Sequence, residues 1–176
     1  MNAFRIFVGF VLILLVSLGM TQASFAPAKG ETLMKLEIDG RGSLFIRLFT
    51  KEAPKATAQI MGLVQKGFYD GKPFHRVERS PKPFLAQIGP TNSTDAANVR
   101  IPYEDSGYSF NEAGMVGLSA KPNDRDSGDS QFHILLGPAT FLDGNYTCFG
   151  KVVFGAEILG ALKQGDKVKK ASILRG

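Results

Sequence analysis

Apolar and polar positions alternate with a period of two along much of this chain. "TLMKLEI" (32–38) and "SLFIRLF" (43–49) are the clearest runs. Such alternation sorts the side chains of an extended strand onto two faces. Asp39-Gly40-Arg41-Gly42 separates the two runs and predicts a hairpin. The period then changes. In "KEAPKATAQIMGLVQKGFYDGK", Ala56, Ile60, Leu63 and Val64 recur at helical spacing. Pro54 suits the first turn of that helix, where no backbone N–H is needed, and Gly67 suits its end. Further strands are predicted over 73–77, 84–88, 115–120, 131–136, 148–153 and 167–174, and a second amphipathic helix over 156–164. About eight short strands with Gly-rich turns and two helices predict a mainly β fold, a sandwich or a closed barrel. Two polar, irregular stretches stand apart, 89–114 and 121–130. Both are too long to be idle connections, and long loops on a rigid β scaffold are where a binding surface is expected.

The N-terminus follows neither period. Arg5 is the lone charge in the first 23 residues, an apolar stretch covers 6–20, and Thr21-Gln22-Ala23 offers a small-x-small cleavage site. Residues 1–23 therefore read as a secretory signal peptide, with 24–30 as a linker and 31–176 as one domain. The rival reading is an uncleaved membrane anchor over residues 4–20, near the lower limit of about 17 apolar residues for a span. Either reading exports the domain, to the periplasm or the outside. At 176 residues, 44% of them hydrophobic, the chain can bury a core without disulfides. The lone cysteine, Cys148, lies in an apolar strand pattern and reads as a small core residue. The net charge is +5, with basic residues gathered in "KQGDKVKKASILR" near the end. That segment lacks the aromatics a nucleic-acid surface would interleave, so a solvated basic edge is expected and no nucleic-acid partner.

Several chemistries fail on spacing. His75, His133 and Cys148 lie too far apart in sequence for a zinc pattern. A calcium loop starting at Asp124 would place Gly128 at position 5 and Leu135 at position 12, where oxygen ligands belong. "GNYTCFGKV" has five residues between its glycines, and Val152 stands where a phosphate loop has its hydroxyl. "GDSQF" lacks the second glycine of a nucleophile elbow. No metal and no cofactor is expected.

What remains is an arginine, glutamines and aromatics. Arg76 lies in an apolar run that reads as strand, and no carboxylate two positions away is expected to pair with it on the same face. As a strand, that run directs His75 and Arg76 to opposite faces. The bland reading of Arg76 is a structural ion pair with a remote carboxylate such as Glu104 or Asp105. His75 reads as an interior histidine.

"FHRV", "FLAQIG", "GLSA", "GDSQFHI" and "FLDGNYTCFGKVVFG", in that order, resemble the cyclophilins, a family of peptidyl-prolyl cis-trans isomerases. The likeness covers about residues 31–176. It implies a closed eight-stranded antiparallel β-barrel capped by two α-helices, working as a monomer on proline-containing peptides and folding proteins. It also implies Arg76 as the catalytic arginine, with Phe84, Gln87 and Phe132 beside it, Phe132 as the aromatic floor of the proline pocket. Leu85, Phe141, Leu142 and Tyr146 complete the pocket and its rim, and Gln131 lies beside a secondary pocket.

Three departures carry expectations of their own. "ERSPKP" (78–83) is about three residues longer than the family spacing, and its prolines should stiffen it beside Arg76. His133 replaces a large aromatic of the proline pocket, which predicts weaker proline packing and activity that falls on acidification. Lys121 stands at the mouth of the secondary pocket and predicts a preference for acidic residues before proline. The other reading of the whole is a module that binds proline segments with weak or no turnover.

Overall fold

The computed structural model describes residues 25–91 and 97–176. The signal segment expected at 1–23 lies outside the described residues. The chain forms β1 (Thr32–Ile38), β2 (Gly42–Leu48), α1 (Pro54–Gln65), β3 (Phe74–Val77), β4 (Leu85–Ile88), β5 (Met115–Leu118), β6 (Phe132–Leu135), β7 (Cys148–Phe154), α2 (Ala156–Ala161) and β8 (Val168–Arg175). A 3-10 turn, Thr140–Leu142, precedes β7.

The strands form one antiparallel sheet in the order β3-β4-β6-β5-β7-β2-β1-β8. β1 and β2 form the hairpin predicted from their alternation, with Leu36 opposite Leu44. The expected closed barrel is not what forms. The sheet stays open, and its two edges meet at one isolated bridge, Pro73 with Lys167. The reason lies in what faces β3. Past Phe74 the opposing chain is a turn, in which Asp166 N–H returns to Lys163 O, so no strand is left to pair.

The main core lies on one side of the curled sheet. Met34, Leu36, Leu44, Ile46, Ile88, Val116 and Phe149 meet Ile60 and Val64 of α1 and Ile158 and Leu159 of α2 there. Each fully buried side chain of this size contributes about 1.5–3 kcal/mol. Cys148 is buried as expected, and burial pushes its thiol up to about 12.

α1 begins with Pro54 and has no side-chain cap of its own. Glu104, from the long 89–114 segment, supplies one. Its two carboxylate oxygens accept from Lys55 N–H at 3.0 Å and Ala56 N–H at 2.8 Å. An anion at the orphan N–H groups of a helix start is well placed. α2 ends at Ala161, three residues before the predicted end. Arg79 of the 78–83 loop closes it, donating to the carbonyls of Leu159 and Leu162.

The segment expected as a linker is tied to the domain. Phe25 stacks on Phe154 at 5.1 Å and meets Phe45 edge-on at 5.3 Å. Gly30 N–H donates to Gly176 O.

Candidate active site

The outer face of β3, β4, β6 and β5 carries the site. Strand alternation decides which side chains reach it. On β4, Ala86 and Ile88 belong to the main core, which leaves Leu85 and Gln87 for the outer face. On β6, Phe132 and Ile134 point inward while His133 and Leu135 point outward. Leu85 opposes Leu135 and Gln87 opposes His133. A bulge in β3 between Phe74 and Arg76 then sets Arg76 opposite Gln87. Bulges re-aim single side chains in this way. Phe74 is buried, His75 half-buried and Arg76 exposed.

A second, smaller core lies on this same face. Phe49, Leu85, Phe110, Met115, Leu135 and Leu142 form it, with Phe84 and Tyr146 packed at its edge.

The polar groups form a chain. Arg76 Nη1 approaches Gln87 Oε1 at 3.4 Å. Gln87 Nε2 donates to Gln131 Oε1 at 2.8 Å and to Ser119 Oγ at 3.2 Å. Ser119 Oγ also meets His133 Nδ1 at 3.3 Å. The Arg76 guanidinium carbon lies 6.0 Å from the centre of the Phe84 ring, a cation–π distance. Phe84 in turn meets Phe141 at 5.5 Å, and Phe141 is 69% exposed, free to cover a ligand. Leu142 lies buried below them.

Phe132 is the implied site residue that the structure does not bring here. It is fully buried in the main core, edge-on to Tyr69 at 5.3 Å and to Phe149 at 6.1 Å. Neighbours on a strand face opposite sides, and His133 occupies the outer one. The ring that β6 presents on the outer face is therefore an imidazole, flanked by Phe110 at 5.7 Å and Tyr146 at 5.5 Å. His133 is buried, and its pKa is lowered to about 4, first by that burial and then by the nearby Arg76 charge. That shift runs against the expectation that titration of His133 near pH 6.5 lowers activity. The imidazole is neutral on both sides of that pH. His75 is also shifted down by burial and by Arg76, against a backbone hydrogen bond at Gly89.

The ion pair at Arg76 differs from the remote one weighed above. Glu104 is committed to α1. The partner is Glu78, just beyond the strand end, whose Oε1 takes both Nε and Nη2 at 2.7 Å. Glu78 stands two positions on from Arg76, which corrects the expectation that no carboxylate at that spacing pairs with it. Ser119 and Phe110 were also missed. Ser119 shares a face with Gly117 by simple alternation, whereas Phe110 sits in an irregular segment that carries no periodic signal.

Two cavities flank the polar chain. One of about 500 Å³ is lined by Thr91, Ser119, Lys121, Asp129, Ser130 and Gln131. The other, of about 610 Å³, lies between Lys121, Arg125, Phe141, Leu142 and Tyr146. Lys121 is exposed on the ridge between them.

Residues 33–175 match the family model for cyclophilin type peptidyl-prolyl cis-trans isomerases. A probable peptidyl-prolyl cis-trans isomerase of Brucella abortus is 35% identical over 172 residues, covering 90% of this chain and 84% of the relative. A peptidyl-prolyl cis-trans isomerase of Helicobacter pylori is 34% identical over 133 residues, 73% of this chain and 79% of the relative. Among solved structures, a cyclophilin type isomerase of Cryptosporidium parvum shares the fold with a TM-score of 0.70 at 21% identity, covering 83% of this chain and 99% of that one. The same parasite protein in the presence of the dipeptide Ala-Pro gives a TM-score of 0.66. The chain belongs to the cyclophilin-type family. It is a peptidyl-prolyl cis-trans isomerase.

Proposed function

We propose that Arg76 carries the reaction by bonding the twisted X–Pro bond. The planar bond resists rotation because the nitrogen lone pair is conjugated with the carbonyl, which gives a barrier of about 18–20 kcal/mol. Halfway through the rotation that conjugation is lost, and the prolyl nitrogen becomes a hydrogen-bond acceptor. A guanidinium held at that point binds the twisted state better than either planar isomer, which is catalysis by differential binding. The observation that carries this reading is the fork of Arg76. Its Nε and Nη2 are held by Glu78, while among the described residues Nη1 has only the long 3.4 Å contact with Gln87. Nη1 is the arm available to substrate.

Phe84, Leu142, Phe141 and the neutral His133 ring would hold the proline while the preceding carbonyl swings. Gln87, anchored by Gln131 and Ser119, would steady the peptide beside it. No covalent intermediate is required. Substrates are proline-containing segments of folding proteins, and the apolar N-terminus supports an exported workplace, periplasmic or secreted. Lys121 would favour acidic residues before proline. A peptide panel read by kcat/KM should rank Glu-containing peptides first, and an even ranking would remove that role.

The test of the mechanism is isomerisation of an Ala-Pro peptide by the protein and by Arg76→Ala. The expected loss in the variant is on the order of 10²–10³ in kcat, the usual cost of removing one transition-state donor. Equal rates would remove Arg76 from the mechanism. A wild type that binds the peptide but leaves the buffer rate unchanged would make the protein a proline-binding module instead.

A further inference from the structure

We propose that Glu78 is a positioning residue for isomerisation. It acts by fixing the rotation of the Arg76 guanidinium so that Nη1 faces the groove. The inference rests on the assignment of Arg76 as the transition-state donor.

The geometry is specific. One oxygen of Glu78, Oε1, takes both Nε and Nη2 of Arg76 at 2.7 Å. That contact occupies one edge of the planar fork and settles which way the other edge looks. The remaining arm, Nη1, then lies on the side of Gln87, while the guanidinium carbon stays 6.0 Å from the Phe84 ring centre. An arginine without such a partner rotates about several side-chain bonds, and each productive encounter would have to find the right rotamer.

Glu78 is itself held. Its N–H donates to Leu85 O at 2.9 Å, and its carbonyl accepts from Phe84 N–H at 3.0 Å. These bonds carry the β3–β4 pairing one step past the strand end. The next residue, Arg79, is anchored on the carbonyls of Leu159 and Leu162 at the end of α2. The start of the loop that departs from the family spacing is thus held at the Glu78 backbone and again at Arg79. Its extra length does not leave it loose beside the site.

The pair is poorly placed to serve stability. Arg76 and Glu78 are 46% and 43% exposed, and ion pairs at such exposure contribute little to folding. What an exposed pair with a fixed frame can do is orient. An orienting role predicts an effect on turnover with none on thermal stability, whereas a structural role predicts the reverse.

The experiment is a double-mutant cycle on the intact protein with an Ala-Pro peptide. Glu78→Gln in the wild-type background should lower kcat about tenfold, with KM and the melting temperature unchanged. Glu78→Asp, which keeps the charge but withdraws the oxygen, should fall between the two. In the Arg76→Ala background, Glu78→Gln should have no further effect, because the residue it positions is gone. In solution, the Arg76 Nε–H resonance should be sharp and protected in the wild type and lost in Glu78→Gln. The proposal is overturned if Glu78→Gln retains wild-type kcat, or if it loses the same factor with and without Arg76. An Arg76→Ala variant as active as wild type would instead overturn the arginine mechanism itself. Full loss in Arg76→Ala beside an unaffected Glu78→Gln would remove only the role of Glu78.

Discussion

Gly117 and His133 are cross-strand partners, and the imidazole fills the space that a side chain at 117 would need. A Cβ built at Gly117 meets His133 Cε1 at 2.6 Å and Phe110 Cζ at 2.7 Å. Both rings are buried and packed, so neither can move aside freely. Gly117→Ala should cost about 1–3 kcal/mol through overpacking. It should also push the imidazole toward the groove and raise KM for proline peptides. Chemical denaturation and steady-state kinetics on one preparation check both. A variant as stable as wild type would mean that the β5–β6 pair yields more than the packing suggests.

The same imidazole gives the fold a pH dependence. Its pKa is about 4 in the folded chain because of burial and then Arg76, against about 6.5 in an unfolded one. Between these values the unfolded chain binds a proton that the folded chain refuses. Stability is therefore complete above pH 6.5 and declines as the pH falls toward 4. The contribution lost is up to about 3 kcal/mol, taking 1.36 kcal/mol for each pH unit. Urea midpoints measured from pH 7 to 4 should show this slope in wild type and a smaller one in His133→Phe. Activity at pH 5.5 and 8 should show no change traceable to His133.

Glu104 ties the irregular 89–114 segment to α1 through two backbone N–H groups. Glu104→Ala leaves those donors without their cap. The cost should be about 1 kcal/mol, within the range for lost helix caps. For a domain of this size that is a fall of roughly 3 °C in Tm. Differential scanning calorimetry reads it directly, and no shift would show that water replaces the carboxylate without loss.

Arg79 does for α2 what Glu104 does for α1, with the opposite charge at the opposite end of a helix. Arg79→Ala should lower stability by about 1 kcal/mol. Hydrogen exchange should quicken over residues 156–162 while the amides of β1 and β2 keep their protection. Unchanged exchange in α2 would mean that its packing on β2 holds it alone.

The sequence by itself determined a good deal. The alternating runs of β1 and β2 and the turn between them came through, because one face of each strand is buried and the other is not. α1 was legible from four apolar residues at helical spacing and a proline at its start. The ordered pieces from "FHRV" to "FLDGNYTCFGKVVFG" pointed to the family and, through that resemblance, to Arg76, Phe84 and Gln87 as candidate site residues.

Tertiary structure decided the rest. β6 reads "FHIL" and is buried on both faces, so its pattern shows no alternation and does not say which side is core. Only the packing of Tyr69 and Phe149 against Phe132 settles that Phe132 faces the core and His133 the outer face. Whether the sheet closes depended on what chain lies opposite β3, a contact between residues about ninety positions apart. The 89–114 segment has no period at all. Its Glu104 and Phe110 find their roles through partners elsewhere in the chain, a helix start for one and an imidazole for the other. Local spacing records which faces a strand has. Long-range packing chooses which of them the solvent, and the substrate, will meet.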